Sequence, residues 1–461
     1  MKEKKKSVRK IKFNTMQKVA LGFLGVIFLG GVLLWLPVCN QKPIAFFDAL
    51  FTSTSAVCVT GLVTIIPAEQ FTLLGKVVLM LLIQIGGLGV IACMTAFFLA
   101  LRKRITMRDR IVIQQAYGLD TLSGLVRFII RILRGTIIVE GIGAVLYSLK
   151  FVPEFGFLRG IGYGIFHAVS AFCNAGIDIL GPNSFIDYAT SPLVSLTTMF
   201  LIVMGGLGFP VWHDIYKNGK RVIQEKEAKR RLWSRLRLHS KIVLTMTLTL
   251  LIIGTLGFFL LEYNNPQTMA DMNIAQKLLA SGFQSVTTRT AGFASVAQDG
   301  LTQASKLLGC ILMFIGGSPA GTAGGVKTTT FAMLVLIAWS VLRGRKDVEC
   351  YGRKMEETNV RSGVTITLAA FLFWLLGIAV ITIIEPMKDY LDIMYEATSA
   401  IGTVGLSANL TMSLHRGSQA VLMILMYVGR IGPMTLALIF AGKDRTGTQF
   451  RELPEKKIML G

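Results

Sequence analysis

The sequence predicts an all-α integral membrane protein: four tandem span–pore-helix–span repeats around one pore, with eight full spans plus four re-entrant half-helices. Three observations predict this. The 461-residue chain is 52% hydrophobic and only 16% charged, and many of its apolar runs reach the ~20 residues that a membrane-crossing helix needs. A short stretch recurs four times: Ser55-Ala56-Val57-Cys58-Val59-Thr60-Gly61-Leu62, Ser170-Ala171-Phe172-Cys173-Asn174-Ala175-Gly176-Ile177, Ser285-Val286-Thr287-Thr288-Arg289-Thr290-Ala291-Gly292-Phe293 and Ser399-Ala400-Ile401-Gly402-Thr403-Val404-Gly405-Leu406. Its glycines are spaced by 115, 116 and 113 residues, a regularity that marks internal repeats. Finally, 37 of the 48 Lys and Arg fall in 1–18, 102–134, 217–241, 343–361 and 443–461. These alternate with poorly basic segments, the positive-inside pattern, which places both termini and the basic loops in the cytoplasm of a multi-pass cell-membrane protein.

The same distribution explains the net charge of +22 as topology rather than a nucleic-acid surface; an anionic membrane surface or an acidic cytoplasmic partner stays compatible with it. The six cysteines (39, 58, 93, 173, 310, 350) show no CxxC or Cys/His spacing, so neither a disulfide framework nor a metal site is indicated. The apolar run from Val19 to Leu36 is span-length, longer than a signal h-region, and reads as an uncleaved first span.

A cytoplasmic tail (1–16) leads into repeat one (17–101), with spans at 17–37 and 73–100 around a half-helix at 44–55 and a loop at 56–62. Repeat two (102–216, with its preceding loop) places these at 128–149, 192–212, 161–171 and 172–178. Repeat three (217–342) places them at 242–261, 307–342, 274–286 and 287–293, and repeat four (343–441) at 363–384, 419–441, 388–400 and 401–407. A tail (442–461) ends the chain in the cytoplasm. A half-helix of about 12 residues crosses only about half of a bilayer. Its following loop is then non-helical backbone at membrane depth, tolerated only where it lines a cavity or is buried in protein.

The glycine in each loop permits positive φ, which lets carbonyl oxygens turn toward an axis and replace an ion's hydration shell. The candidate filter residues are Val59, Thr60 and Gly61; Asn174, Ala175 and Gly176; Thr290, Ala291 and Gly292; Thr403, Val404 and Gly405. Thr403-Val404-Gly405 matches the start of the potassium-channel sequence TVGYG, and the half-helices point their partly negative C-termini at the cavity. The competing reading is that these glycines only permit close helix packing; four copies after four half-helices weigh against it.

The returning spans share a second motif: Ile85-Gly86-Gly87-Leu88-Gly89, Met204-Gly205-Gly206-Leu207-Gly208, Ile315-Gly316-Gly317-Ser318 and Val428-Gly429-Arg430-Ile431-Gly432. In repeats one and two close packing is the better reading. Repeat three is too long for one straight span, and Gly316-Gly317-Ser318-Pro319-Ala320-Gly321-Thr322-Ala323-Gly324-Gly325 should break it, as a mobile loop below the filter or as a static kink. Gly325-Val326-Lys327-Thr328 is not a P-loop, because Val326 separates Gly from Lys inside a span; no nucleotide binds there.

Arg430 replaces glycine inside an apolar span, where an Arg is costly and marks a candidate site. It either repels cations at the cavity or bonds the carbonyls of the glycine-rich loop, with a structural ion pair as the bland alternative. Arg289 suits a scaffold for its loop. Asp178 and Glu396 either bias the outer mouth toward cations or are solvated rim charges.

With Cys-Asn-Ala-Gly (173–176), Thr-Arg-Thr-Ala-Gly-Phe (288–293) and Thr-Val-Gly-Leu-Ser (403–407) in this four-fold frame, nearly the whole chain resembles the Trk/Ktr/HKT superfamily of potassium transporters. Within it, the chain is most similar to the membrane subunits (KtrB/KtrD type) of bacterial Ktr potassium uptake systems. The resemblance implies potassium-selective uptake, with Gly61, Gly176, Gly292 and Gly405 offering filter carbonyls. It implies an intramembrane gate at 316–327, comprising Gly316, Gly317, Ser318, Gly321, Thr322, Gly324, Gly325 and Lys327, with Arg430 beside it. It also implies a homodimer with one pore per protomer, bound to a cytoplasmic ring of RCK-domain regulatory subunits (KtrA/KtrC-like) that hold the nucleotide. Potassium uptake of this kind is compatible with sodium symport, with Na+ as a second transported ion. One glycine per loop should give fewer stacked carbonyl sites than TVGYG and weaker potassium/sodium discrimination. Two rivals are weaker. An alternating-access sodium-coupled secondary transporter calls for inverted repeats and mid-membrane ion pairs, whereas these repeats are parallel. A membrane enzyme or receptor calls for a catalytic cluster, yet the four His (167, 213, 239, 415) are scattered.

Overall fold

The computed structural model describes residues 15–89, 123–225, 230–345 and 347–432, with isolated positions between 92 and 117. Four outward helices are present: α1 (Thr15–Trp35), α4 (Leu125–Phe155), α8 (Leu238–Glu262) and α12 (Glu357–Ile384). Each is followed by a shorter, largely buried helix: α2 (Phe46–Cys58), α5 (Phe157–Cys173), α9 (Ile274–Thr287) and α13 (Tyr390–Gly402). The returning elements are α3 (Leu73–Leu88), α6 with α7 (Pro192–Gly206, Phe209–Gln224), α10 with α11 (Gln303–Phe314, Thr328–Leu342) and α14 (Arg416–Ile431).

Helix starts follow capping chemistry. Asn273 and Gln276 form a reciprocal capping box at α9, the Asp389 carboxylate accepts from the Leu391 and Asp392 amides at α13, and Thr302 caps α10. Such caps satisfy backbone donors that the first helical turn leaves orphaned.

The four segments pack alike. In each, a glycine of the outward helix faces a buried leucine of the returning helix: Gly30 with Leu82, Gly143 with Leu201, Gly254 with Leu312, Gly377 with Leu425. A β-carbon on any of these glycines would lie only 2.6–3.0 Å from the leucine methyl, so the pair sets how closely the two helices approach. Four residues beyond each leucine stands the first glycine of the second motif. In repeats one, two and four that glycine, Gly86, Gly205 or Gly429, lies against a carbonyl near the end of the short helix: Val57, Phe172 or Ile401. Close packing is therefore their role, as read for repeats one and two. Leucine, isoleucine and phenylalanine face outward along the long helices, among them Phe28, Ile137, Leu260 and Ile383, as a hydrocarbon solvent requires.

The returning span of repeat three breaks as expected, whereas that of repeat two bends where a straight crossing was expected. Among the described residues three helices, Gln17–Trp35, Leu238–Glu262 and Glu357–Ile384, are each long and apolar enough to cross a membrane, and α6–α7 joins them if its 94° bend is counted as one span. The backbone turns at a glycine in each case: Gly89 and Gly432 end α3 and α14, and Gly208 opens α7 just after α6 ends, with almost the same dihedrals, φ 84°, 88° and 90° with ψ 143°, 135° and 137°, a region that strongly favours glycine. Most of 90–100 and all of 433–461 lie outside the described residues. The segment before repeat four also carries a hairpin, β1 (Glu349–Cys350) with β2 (Arg353–Lys354), pairing Glu349 with Lys354.

Candidate functional site

The four Ser…Gly loops meet as a closed ring. A β-carbon on Gly61 would stand 2.6 Å from the Ala175 carbonyl oxygen, and one on Gly292 2.5 Å from that of Val404; on Gly176 it would strike the Ala291 oxygen and on Gly405 the Thr60 oxygen. Each glycine thus faces the carbonyl preceding the glycine of the next repeat, and the fourth closes on the first. All twelve candidate residues of the ring are buried. The ring tolerates no side chain at its glycines, and their φ values of 62–110° select glycine independently.

Two residues before each glycine the backbone is also left-handed, at Val59 (φ 56°), Asn174 (61°), Thr290 (72°) and Thr403 (51°). For Val and Thr this conformation is strained, since branching at Cβ crowds the carbonyl. The short helices hold it in place. The Thr60, Ala175 and Val404 amides each donate 2.8 Å to the carbonyl of the serine that opens the stretch, Ser55, Ser170 or Ser399. The hydroxyls of Ser55 and Ser399 accept from the Gly61 and Gly405 amides, both at 2.9 Å.

Repeat three does this differently. Ser285 donates to the Leu251 carbonyl of its outward helix (2.9 Å), as Ser53 donates to Ile27 (2.7 Å). Thr287 donates to the Phe293 carbonyl (2.6 Å), as Ser170 donates to Ile177 (2.7 Å). Packing therefore aligns Ser285 with Ser53 rather than Ser55, so the third loop is one residue shorter than its fellows, not one longer.

A further set of ring supports carries no serine or glycine signal. Thr52, His167, Gln284 and Glu396 occupy the same level of the four short helices and are fully buried. Three of them fasten the chain that leaves the ring. His167 Nε2 accepts from the Ile179 amide (3.5 Å), Gln284 pairs with Gln298 (2.7 Å), and Glu396 accepts from Ser407 (2.5 Å), Thr411 (2.7 Å) and the Leu410 amide (3.3 Å). Glu396 is thus an interior tether, neither a rim charge nor an exposed cation lure. Asp178 is half-buried and accepts from the Leu180 amide (3.3 Å). Arg289 is buried, and its Nε has no hydrogen-bond partner among the described residues.

The glycine-rich break lies against the ring. Residues 315–327 separate α10 from α11, and a short parallel bridge joins Ile315 to Val326. The Gly316 amide donates to the Val326 carbonyl (2.8 Å), the Thr328 amide to Gly317 (3.0 Å), and the Ser318 hydroxyl meets that of Thr328 (3.0 Å). The loop is fastened to repeat two by Ser318 N to Gly206 O (3.0 Å), Thr322 N to Gly205 O (3.1 Å) and Thr322 Oγ1 to Phe172 O (3.0 Å). Gly321 approaches Gly205 and Gly208, and a β-carbon on Gly324 would strike Thr403 Oγ1. Gly325 has φ 66°. Lys327 closes its own loop by donating to the Ala323 carbonyl (2.7 Å).

Arg430 adopts one of its two expected roles. Its guanidinium donates to the Thr322 carbonyl of the glycine-rich loop and to the Gly86 and Gly87 carbonyls at the end of α3, the last at 3.2 Å. The cation sits on the partly negative C-terminus of that helix and ties repeat four to repeats three and one. The hydroxyls of Thr60 and Thr403 are buried with no hydrogen-bond partner among the described residues.

A family described as TrkH, cation transport protein, matches residues 3–448. The chain is similar to the Ktr system potassium uptake protein B of Bacillus subtilis, 36% identical over 459 residues covering 100% of this chain and 99% of that protein. It is similar also to the potassium/sodium uptake protein NtpJ of Enterococcus hirae, 38% identical with 99% of each covered. Among solved structures it resembles the potassium transporter TrkH of Vibrio parahaemolyticus, with TM-score 0.73 and 16% identity over 94% of this chain and 86% of that one, a likeness of fold.

Proposed function

The chain belongs to the TrkH family of cation transport proteins, and from that premise we infer that it carries potassium into the cell through the ring of four loops. The observation that carries this reading is the cyclic contact in which each ring glycine faces the next repeat's carbonyl. Four inward backbone turns at one level offer carbonyl oxygens to a dehydrated monovalent cation, with the Thr60 and Thr403 hydroxyls as further oxygen donors. The names of the Bacillus and Enterococcus relatives, a potassium uptake protein and a potassium/sodium uptake protein, support the ion class.

In this proposal residues 316–327 are the gate, clamped shut by Arg430 and Lys327, and ion passage requires those carbonyl bonds to loosen. The "Ktr system" in a relative's name supports a partnered assembly. The proposal includes a homodimer with one pore per protomer and a cytoplasmic ring of RCK-domain subunits that holds the nucleotide and acts on the gate. The domain plan of four repeats with basic cytoplasmic connections belongs to the same reading.

Flux of ⁸⁶Rb⁺ into liposomes containing the full chain, with potassium and sodium as competitors, tests it alongside Gly405→Ser. Wild type is expected to conduct and to prefer potassium, with the preference weakened in the variant. Equal selectivity in both proteins sinks the assignment of the loops. Sodium stimulation of rubidium flux would reassign transport to symport.

A further inference from the structure

The 94° break between α6 and α7 turns the chain sideways just where a straight crossing was expected. α7 buries Phe209, Val211, Asp214, Asn218 and Val222 and exposes Tyr216, Lys217 and Lys220. Asp214 pins it: one carboxylate oxygen accepts from Ser240 (2.6 Å) and the Arg237 amide (2.9 Å), the other from Asn218 (2.9 Å). A two-faced helix leaving a span at nearly a right angle is suited to lie along a membrane surface, here at the strongly basic cytoplasmic side.

Between α7 and the first turns of α4 runs a groove of about 450 Å³. Its walls are apolar and aromatic, with Phe128, Ile138, Phe209 and Trp212, and its charged groups are Arg131 and Arg134; among the described residues no carboxylate lines it. Gly135 gives the Trp212 ring room, standing 3.2 Å from where a β-carbon would be, and the indole is fixed by donating to the Met204 carbonyl (3.0 Å). One Arg131 nitrogen meets His213 Nδ1 at 3.3 Å, which uses part of one guanidinium. The groove continues into the outward-facing Ile137 and Ile138, the lipid side of α4.

We propose that this groove binds one anionic phospholipid, its phosphate between Arg131 and Arg134 and its acyl chains along Phe128, Ile138 and Trp212. Two unneutralised cations at the level of the inner headgroups, above an apolar trough, match the charge and shape of that class of lipid. A free phosphate would leave the trough empty, and a soluble acidic segment would leave apolar walls against water. The proposal concerns lipid retention and not ion flux, so its failure leaves the transport reading untouched.

Native mass spectrometry of the purified full chain, titrated with phosphatidylglycerol or with phosphatidylcholine of the same acyl chains, tests it. One phosphatidylglycerol should be retained roughly tenfold more tightly or better. Removing both charges (R131Q/R134Q) should abolish the preference, R131K/R134K should restore most of it, and K217Q/K220Q should leave it unchanged. Gly135→Leu, which fills the trough with both arginines in place, should weaken retention of both lipids and serves if the neutralised variant does not fold. Equal retention of the two lipids by wild type, or an unchanged preference in R131Q/R134Q, overturns the proposal. So does displacement of the lipid by an equal concentration of inorganic phosphate or of poly-glutamate, which would mark a soluble-anion site or a protein-docking face.

Discussion

The Arg416 guanidinium holds both carboxylate oxygens of Asp48, at 2.5 and 2.8 Å, and so joins the last repeat of the chain to the first. Thr64 donates to the same carboxylate (2.8 Å), and the Arg416 cation lies over the Phe47 ring at 4.9 Å. Repeats three and four are joined in the same way by Lys306 on α10 and Asp392 on α13, at 2.6 Å. In both places a base near the start of a returning helix reaches an acid near the start of the next short helix.

The first prediction concerns this clasp. Asp48 is largely buried while about half of the Arg416 side chain is exposed, so solvent screening weakens the pair but its loss strands an interior carboxylate. Arg416→Gln should cost about 1–2 kcal/mol of stability, read as a lower midpoint in thermal aggregation followed by size-exclusion chromatography. The exchanged pair D48R/R416D should recover part of it; an unchanged midpoint in Arg416→Gln would show that helix packing alone closes the ring.

Two glycines near the ends of broken helices should respond in opposite ways. Gly324 abuts Thr403 Oγ1, whereas Gly89 (φ 84°) has no atom within 4 Å of an added β-carbon. Gly324→Ala should reduce rubidium flux severalfold, and adding Thr403→Ala should restore it by removing the obstruction. Gly89→Ala should leave selectivity intact and cost only backbone strain, about 2–3 kcal/mol. If the double variant stays as impaired as Gly324→Ala, loop and ring are not in functional contact.

Arg430 ties three repeats together through carbonyl oxygens alone. Arg430→Ala should release the loop and raise rubidium flux severalfold when no cytoplasmic subunit is present. Lysine cannot reach all three carbonyls at once with its single nitrogen, so Arg430→Lys should fall between the two. Flux lowered by both substitutions would make Arg430 a support of the conducting state.

Glu396 makes its bonds as an acceptor from two hydroxyls and a backbone amide. Glu396→Gln keeps the shape but turns one end into a donor, at a cost of about 2 kcal/mol. Potassium preference should fall with it, although no charge is lost at the surface. Selectivity that is unchanged in a destabilised variant would separate the tether from the ring.

Much of this was legible in residue order. The short helix expected at 274–286 is observed as Ile274–Thr287, and that expected at 388–400 as Tyr390–Gly402, because apolar length and capping residues are local signals. The glycines of the ring were legible because only they supply positive φ without strain. The left-handed Val59, Thr290 and Thr403 were not: nothing local announces strain that tertiary hydrogen bonds impose. The shared place of Thr52, His167, Gln284 and Glu396 was not legible, and Glu396 read only as a mouth or rim charge, because four different residue types occupy it and it shows only when the repeats are laid over each other by their glycines. The backbone turns at Gly89, Gly208 and Gly432 had a usable signal, the closing glycine of the second motif, which reads as close packing until its dihedrals are known. Ser285 was aligned by identity with Ser55, whereas its hydrogen bond to the outward helix is what defines its place.

The contact ring is written in one continuous chain, and this changes what heredity can do with it. In a ring assembled from four identical subunits a single codon change strikes all four quadrants together. Here it strikes one. The third quadrant can lose a residue from its loop and lengthen its helix break while the fourth trades a glycine for Arg430, and the other quadrants keep their geometry. If the ring selects the ion and the loop gates it, as proposed, substitutions can adjust the two separately, quadrant by quadrant, which a symmetric assembly forbids.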